Sequence, residues 1–104
     1  MTLYTCKLTS KNRELLKNEI LFAITSAKAL HYDLLRLDFP DNASETCVET
    51  IARILRIEKK NGFFQLYISP AELDNNSPEA EYTKNKHPEL SELDKNEKCF
   101  FVKI

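Results

Sequence analysis

Segments with the two-residue period of a β-strand alternate along this chain with segments that have the period of an amphipathic helix. The strand pattern covers residues 3–8, 34–39, 63–69 and 99–104, and the helical pattern covers residues 11–30 and 47–60. A helix that connects two strands of one sheet normally leaves those strands parallel and packs on the sheet. The order of segments therefore predicts an α/β fold with a largely parallel sheet.

The second helical segment is the most regular in the chain. Its apolar side consists of Cys47, Val48, Ile51, Ala52, Ile54 and Leu55. Asn42, followed three residues later by Glu45, resembles a capping box and predicts the start of this helix. Lys59 and Lys60 suit the negative end of the helix dipole, and Gly62 can adopt the left-handed backbone conformation at the exit.

The two faces of the predicted strands differ in composition. The first face is mostly apolar and comprises Tyr4, Cys6, Leu8, Leu35, Leu37, Phe39, Phe64, Leu66, Ile68, Phe100, Val102 and Ile104. The second is mixed and comprises Leu3, Thr5, Lys7, Leu34, Arg36, Asp38, Phe63, Gln65, Tyr67, Cys99, Phe101 and Lys103. We therefore predict a two-layer sandwich of order β-α-β-α-β-(short α)-β, with a mostly parallel sheet, helices on the apolar face and an open second face.

Residues 70–98 form a polar stretch with three prolines and an excess of negative charge. It contains four Lys against eight Asp and Glu. Ser77 followed by Pro78 predicts the start of a short helix over residues 78–85. We interpret residues 1–104 as a single α/β domain in which residues 70–98 are an acidic surface excursion.

Composition excludes several classes of protein. The chain has a net charge of −1, which does not favour nucleic-acid binding, and no apolar run long enough to cross a bilayer. Its start lacks the pattern of a secretion signal, so we expect a cytoplasmic protein with no membrane partner. The three cysteines, Cys6, Cys47 and Cys99, are too widely spaced for a disulfide framework or a zinc knuckle, and we expect reduced thiols.

Motifs for catalysis or cofactor binding are missing from the sequence. Residues 9–12, after the first strand, contain no glycine, which disfavours a phosphate-binding loop, and Thr9 or Ser10 is expected to cap the first helix instead. His31 and Asp33 could be considered as an acid/base pair, but His31 fits better as a charge partner for the end of that helix. We assign no catalytic residue, cofactor or metal ligand.

The open second face is the surface that the sequence leaves either for the excursion of residues 70–98 or for another molecule. Its predicted contact residues are Lys7, Arg36, Phe63, Gln65, Tyr67, Phe101 and Lys103. Rings and charges on one sheet face favour contact with another molecule over solvent alone. The leading hypothesis is a non-catalytic interaction or regulatory domain that binds a protein partner, or a second copy of itself, through this face.

Two alternative functions use the same face differently. The rings of Phe63, Tyr67 and Phe101, with basic neighbours, could stack on the bases of single-stranded RNA. Cys99 lies on the mixed face beside Lys98, so we expect it to be the most reachable of the three thiols. It could instead be the thiol of an enzyme if a histidine or carboxylate lay within hydrogen-bonding reach.

Overall fold

A computed structural model of the protein describes residues 3–104, so the first two residues of the predicted domain lie outside the described part. The elements in chain order are β1 (Leu3–Lys7), α1 (Arg13–Ala29), β2 (Leu34–Asp38), α2 (Glu45–Lys60), β3 (Leu66–Ile68), α3 (Pro78–Lys86) and β4 (Cys99–Lys103). Two 3-10 turns, Pro70–Asp74 and Pro88–Glu92, flank α3. The predicted α/β class, with its four strands and three helices, is confirmed.

The sheet is mixed, and the prediction of a mostly parallel sheet is wrong. Its strand order is β1-β2-β4-β3. β1 and β2 are parallel, whereas β4 runs antiparallel to both β2 and β3. The helices α1 and α2 return the chain to the starting end of the sheet, but the connection from β3 to β4 does not. β4 therefore enters in the opposite direction and inserts between β2 and β3.

The helices α1 and α2 cover one face of the sheet, as predicted. The buried residues of this layer are Leu8, Leu16, Ile20, Ala23, Ile24, Leu35, Leu37, Cys47, Ile51, Ile54, Leu55, Phe64, Phe100 and Val102. The four residues from the two central strands, Leu35 and Leu37 of β2 and Phe100 and Val102 of β4, lie in the faces that their alternation predicted. Burial of this contiguous apolar surface is the main favourable term in folding.

The helix caps differ from the predicted ones. Asn12 caps α1 by accepting hydrogen bonds from the N–H groups of Glu14 and Leu15. Ser44 caps α2 by accepting from the N–H of Cys47, while Asn42 lies in a left-handed turn with φ 56°. Because Ser and Asn cap equally well, the turn that precedes each helix decides which residue does so. The end of α2 at Lys60 is as predicted, and Gly62 has φ 86°.

The second face of the sheet is covered, and the prediction that it is open is wrong. Residues 70–98 fold back over it, so the structure has a helical layer, a sheet and a second covering layer. The buried residues of this second layer are Leu34, Ile68, Leu73, Ala80, Leu90, Cys99 and Phe101. Each short element of the segment contributes only one or two apolar side chains to the sheet. Because these apolar side chains are widely spaced in an acidic stretch, the sequence has no periodic pattern that would indicate a covering segment.

The third strand has a different register from the predicted one. Ile68 lies opposite Phe101 in the second layer, and Tyr67 lies opposite Val102 on the helix side. Phe64 also faces the helices, three residues before Tyr67, so strict alternation is broken between them. The strand is only three residues long and begins at Leu66. The prediction that Leu66 and Ile68 face the helices is therefore wrong.

We expect substitution of Phe101 to test the covered face directly. Phe101→Ala removes a fully buried ring and should lower the free energy of unfolding by about 3–5 kcal/mol. Phe63→Ala, at a ring that is 44% exposed, is the matched control and should cost about 1 kcal/mol or less. Guanidinium chloride unfolding followed by circular dichroism measures both. Equal losses in the two variants would contradict the covering of the sheet by residues 70–98.

Candidate interaction surface

The rings of the predicted contact face do not share a surface. Phe101 is fully buried under residues 70–98. Tyr67 packs on the opposite, helix-covered side of the sheet. Phe63 is exposed but precedes β3, outside the sheet. The arrangement that would have stacked RNA bases on three neighbouring rings is therefore not formed.

Arg36 is engaged within the fold. Its Nε donates to Asp38 Oδ1 at 2.6 Å, its Nη2 lies 3.2 Å from Glu97 Oε2, and its guanidinium lies 6.0 Å from the centre of the Phe101 ring. Partial burial opposes the charged form most strongly, but the hydrogen bond to Asp38 and the nearby negative charges, those of Asp38 and Glu97 among them, together outweigh it, so the pKa of Arg36 is raised. The guanidinium joins β2 to the segment before β4.

The remaining polar members of the predicted face also have internal partners. Lys103 Nζ lies 3.4 Å from the carbonyl oxygen of Asp33 and 5.9 Å from the centre of the Tyr82 ring. Gln65 Nε2 donates to the carbonyl oxygen of Ile104 at 3.1 Å. Lys7 Nζ donates to Asp41 Oδ1 at 2.6 Å on the exposed surface. These contacts hold strand ends and loops together.

The three thiols are unpaired, and the prediction that Cys99 is reachable is wrong. Cys99 is 1% exposed. Burial raises its pKa to about 11, despite the opposing effect of the Arg36 charge. Cys6 is half-buried, and its pKa is also raised, first by burial and then by the charges of Glu19 and Asp38. These environments favour the neutral thiol, which is a poor nucleophile.

His87 is a buried polar residue that directly follows α3. Its Nε2 lies 3.5 Å from Asp33 Oδ1, and its Nδ1 lies 3.4 Å from Glu89 Oε1. Asp33 therefore faces His87 and not His31, which is exposed with φ 64° just beyond α1. The contact links the end of α3 to the start of β2. An isolated histidine before a proline gave no periodic signal that could have revealed it.

A cleft lies where β2 ends and α2 begins. This cleft has a volume of about 630 Å³ and is lined by Phe39, Pro40, Asn42, Ala43, Glu45, Val48, Glu49 and Lys98. A neighbouring cleft of about 400 Å³ holds the Lys7–Asp41 pair and the Arg36 contacts. The first cleft combines an apolar floor with charges of both signs. Within residues 3–104, its lining includes neither a histidine nor a cysteine.

Residues 3–104 have neither a cluster of metal-ligating side chains nor a helix suited to a membrane. Among residues 3–104, no three histidine, cysteine or carboxylate side chains are grouped so that they could hold a metal ion. In the same part of the chain, none of the helices has the length and apolar character needed to cross a membrane.

The helix α1 connects the edge strand β1 to β2 and runs in the direction opposite to both strands. In the first half of α1, Glu19 accepts hydrogen bonds from the backbone N–H groups of Thr9 and Ser10, which follow β1. Beyond the end of α1, the ring of Tyr32 lies 5.1 Å from the ring of Tyr4 in β1. These contacts connect α1 and the residue after it to both ends of β1. We call the side of α1 that faces away from α2 its outer side.

Large apolar side chains are exposed on this outer side of α1. Phe22 is 73% exposed, Leu15 is 54% exposed, and Leu30, at the end of the helix, is 59% exposed. At 100° per residue, Leu15 and Phe22 lie within about 20° of each other on the helix surface. Asn18, Ser26 and Ala29 lie on the same side and are uncharged, and Glu19 lies about 40° from Leu15 at its border. We call the row formed by Leu15, Asn18, Phe22, Ser26 and Ala29 the uncharged stripe.

The stripe faces away from the rest of the helical layer. Arg13 and Lys17 of α1 line a small cavity together with Ile54 and Glu58, and so mark the side of α1 that faces α2. Leu15 and Phe22 lie about half a turn from that side. No strand of the described chain lies beyond β1 in the sheet.

The outer edge of β1 has unpaired backbone groups. The N–H of Leu8 donates to the carbonyl oxygen of Asp38 at the β2 side. Because backbone groups alternate in direction along a strand, the N–H and C=O groups of Thr5 and Lys7 point away from β2. We call this edge of β1, with the uncharged stripe of α1, the α1 edge surface. In the sequence, Leu15 and Phe22 widen the apolar side of α1 beyond a single face, a pattern that indicates burial on more than one side.

Comparison with models of known protein families found no match, and comparisons with curated proteins and with solved structures found no similar protein. The function must therefore be argued from the geometry of the surface.

We expect Cys99 to resist alkylation in the native protein. With a pKa of about 11, roughly one thiol in a thousand is ionised at about pH 8. Iodoacetamide treatment followed by peptide mass spectrometry should show Cys6 modified before Cys99 in the native protein and both modified in denaturant. Native labelling of Cys99 at the rate of Cys6 would contradict the buried, neutral thiol.

We expect Glu19 to contribute to stability at neutral pH but not in acid. Partial desolvation raises the pKa of its carboxyl group, and hydrogen bonds from Ser10 and Thr9 outweigh this and lower the pKa below its usual value. Glu19→Gln should therefore cost about 1 kcal/mol at about pH 7. The difference from the wild type should vanish as the pH falls through the folded-state pKa, below about 4.3.

Urea unfolding at a series of pH values measures this difference. Glu92→Gln, at an exposed carboxylate in the second 3-10 turn, is the control and should follow the wild type throughout. A Glu19→Gln difference that persists unchanged in acid would show that the carboxylate does not hold the loop.

Proposed function

We propose that this chain is a non-catalytic protein-interaction domain that acts in the cytoplasm and binds a protein partner through the α1 edge surface. The observation that carries the proposal is the exposure of Phe22, 73% of whose side chain faces solvent within an uncharged stripe. The proposed surface also includes the unpaired edge of β1, the strand that precedes α1. The proposed kind of function is the one expected from the sequence. The proposed binding surface, however, is at the edge of the sheet and not on its second face.

The stripe has the composition of an interface. Single exposed apolar residues are ordinary on protein surfaces, but large apolar side chains aligned on one helix face form a patch. Charged residues make up 30% of the chain, yet the stripe of Leu15, Asn18, Phe22, Ser26 and Ala29 has none. Interface centres are enriched in aromatic residues and depleted of charge. A partner that covers Phe22 would remove an apolar ring from water and would desolvate few polar groups.

The strand edge adds directional contacts to the same surface. Exposed N–H and C=O groups of an edge strand readily pair with a strand from another molecule. In β1, the residues from Leu3 to Cys6 are uncharged and include residue types that favour strands. Lys7 is the one charge in the strand, and its ammonium group is directed to Asp41. A partner strand would thus meet few groups that oppose pairing.

The two alternative functions have weaker support in the structure. The three rings invoked for RNA binding lie on different sides of the molecule. The thiol invoked for catalysis is buried and neutral. We therefore propose neither of them.

Gel filtration of an extract from cells that naturally express the chain tests the proposal. The tagged wild type should elute in a complex larger than the chain's own 12.1 kDa. Phe22→Glu places a charge in the centre of the stripe and should shift most of the protein to the monomer position. Phe63→Glu changes an exposed ring away from the α1 edge surface and should leave the complex intact.

Both purified variants should unfold with wild-type midpoints, because neither residue is buried. A wild type that elutes as a free monomer would refute the proposal. A complex that survives Phe22→Glu would show that binding uses another surface.

A further inference from the structure

We infer that Asn61, which precedes Gly62 at the end of α2, is a site of spontaneous deamidation. The reaction removes the hydrogen bond that Asn61 donates to the buried carboxylate of Glu58, and it thereby destabilises this helix end. The chain has a single glycine, so no other asparagine precedes a glycine. Both Asn61 and Gly62 are exposed, and neither belongs to the α1 edge surface.

An asparagine followed by glycine deamidates by an intramolecular reaction. The backbone nitrogen of Gly62 loses its proton to solvent base and attacks Cγ of Asn61. A bond forms between this nitrogen and Cγ, the bond from Cγ to Nδ2 breaks, and ammonia leaves with a proton from solvent. Water then opens the five-membered succinimide at either carbonyl, which gives aspartate or isoaspartate. Glycine favours ring closure because no side chain shields its nitrogen.

The folded end of α2 restrains this reaction. The N–H of Gly62, which has φ 86°, donates to the carbonyl oxygen of Lys59 at 3.0 Å, and the N–H of Phe63 donates to that of Glu58 at 3.1 Å. These two bonds form a Schellman motif. The Nδ2 of Asn61 donates to Glu58 Oε1 at 3.1 Å. Because the attacking nitrogen and the leaving amide are both engaged, the last turn of α2 must open before deamidation.

Glu58 determines the consequence of the reaction. Its side chain is 3% exposed, and among the described residues its Oε2 has no hydrogen-bond partner. A carboxylate at position 61 cannot donate to Oε1, and it adds a second negative charge beside Glu58. Isoaspartate also lengthens the backbone within the turn. Since ammonia is lost to solvent, the helix end cannot return to its original contacts.

The first measurement is the rate of asparagine loss in the purified full chain. Samples are incubated in mildly alkaline buffer, either native or in guanidinium chloride, and peptide mass spectrometry locates aspartate and isoaspartate. In guanidinium chloride Asn61 should react before Asn76, an exposed asparagine that precedes serine. In the native protein Asn61 should still react, but at least about tenfold more slowly.

Three results of this measurement would overturn the inference. They are faster loss of Asn76 than of Asn61 in guanidinium chloride, equal rates at Asn61 in the two samples, and an Asn61 that stays intact in the native protein. The first would remove the reactive site, the second its restraint by the helix end, and the third the opening of that end within the folded protein.

The second measurement tests the link to Glu58 by a double-mutant cycle. Asn61→Asp should lower the folding equilibrium constant at least about tenfold, because Glu58 loses its donor. In a Glu58→Gln background the same substitution should lower it less than about threefold, because the glutamine amide can donate to the new carboxylate. Urea unfolding of the wild type, the single variants and the double variant gives both factors. Equal factors in the two backgrounds would show that the new charge acts without Glu58, and would overturn the link.

Discussion

The insertion of β4 between β2 and β3 is the contact on which the rest of the structure depends. β4 is the last strand in the chain, yet it is hydrogen-bonded on both sides and buried on both faces. Phe100 and Val102 pack under α1 and α2, and Cys99 and Phe101 pack under residues 70–98. One short segment therefore unites the helical layer, both halves of the sheet and the second layer. Neither apolar cluster is complete until this strand is in place.

The covering of the second face determines where a partner can bind. Once residues 70–98 lie on that face and the helices lie on the other, the described chain leaves only the edges of its sheet free. β3 is three residues long, and a short edge strand is a common protection against pairing. β1 is longer, with five residues, and α1 follows it in the chain. Phe22, the most exposed of the large apolar side chains of the described residues, lies on that helix.

The polar contacts of the second layer connect parts of the fold to one another. Arg36 holds Asp38 and Glu97, and His87 lies between Asp33 and Glu89. Each of these groups connects residues 70–98, or the segment leading into β4, to β2. Such contacts orient a layer that has few apolar side chains. They also use charges that, from the sequence, could have been assigned to ligand binding.

The sequence by itself determined the α/β class, the positions of the strands and helices, and the apolar faces of β1, β2, β4 and α2, because these depend on periodicity within a few residues. Strand direction, the caps at Asn12 and Ser44, the register of Ile68 and the covering of Phe101 were decided only by the tertiary structure. A period of two residues is the same in parallel and antiparallel strands. It also contains no information about distant segments such as residues 70–98, whose scattered Leu73, Ala80 and Leu90 become one surface only when the chain folds over the sheet. The α1 edge surface was decided in the same way, since an apolar side chain on a helix is an interface candidate only after the remaining elements have left it uncovered.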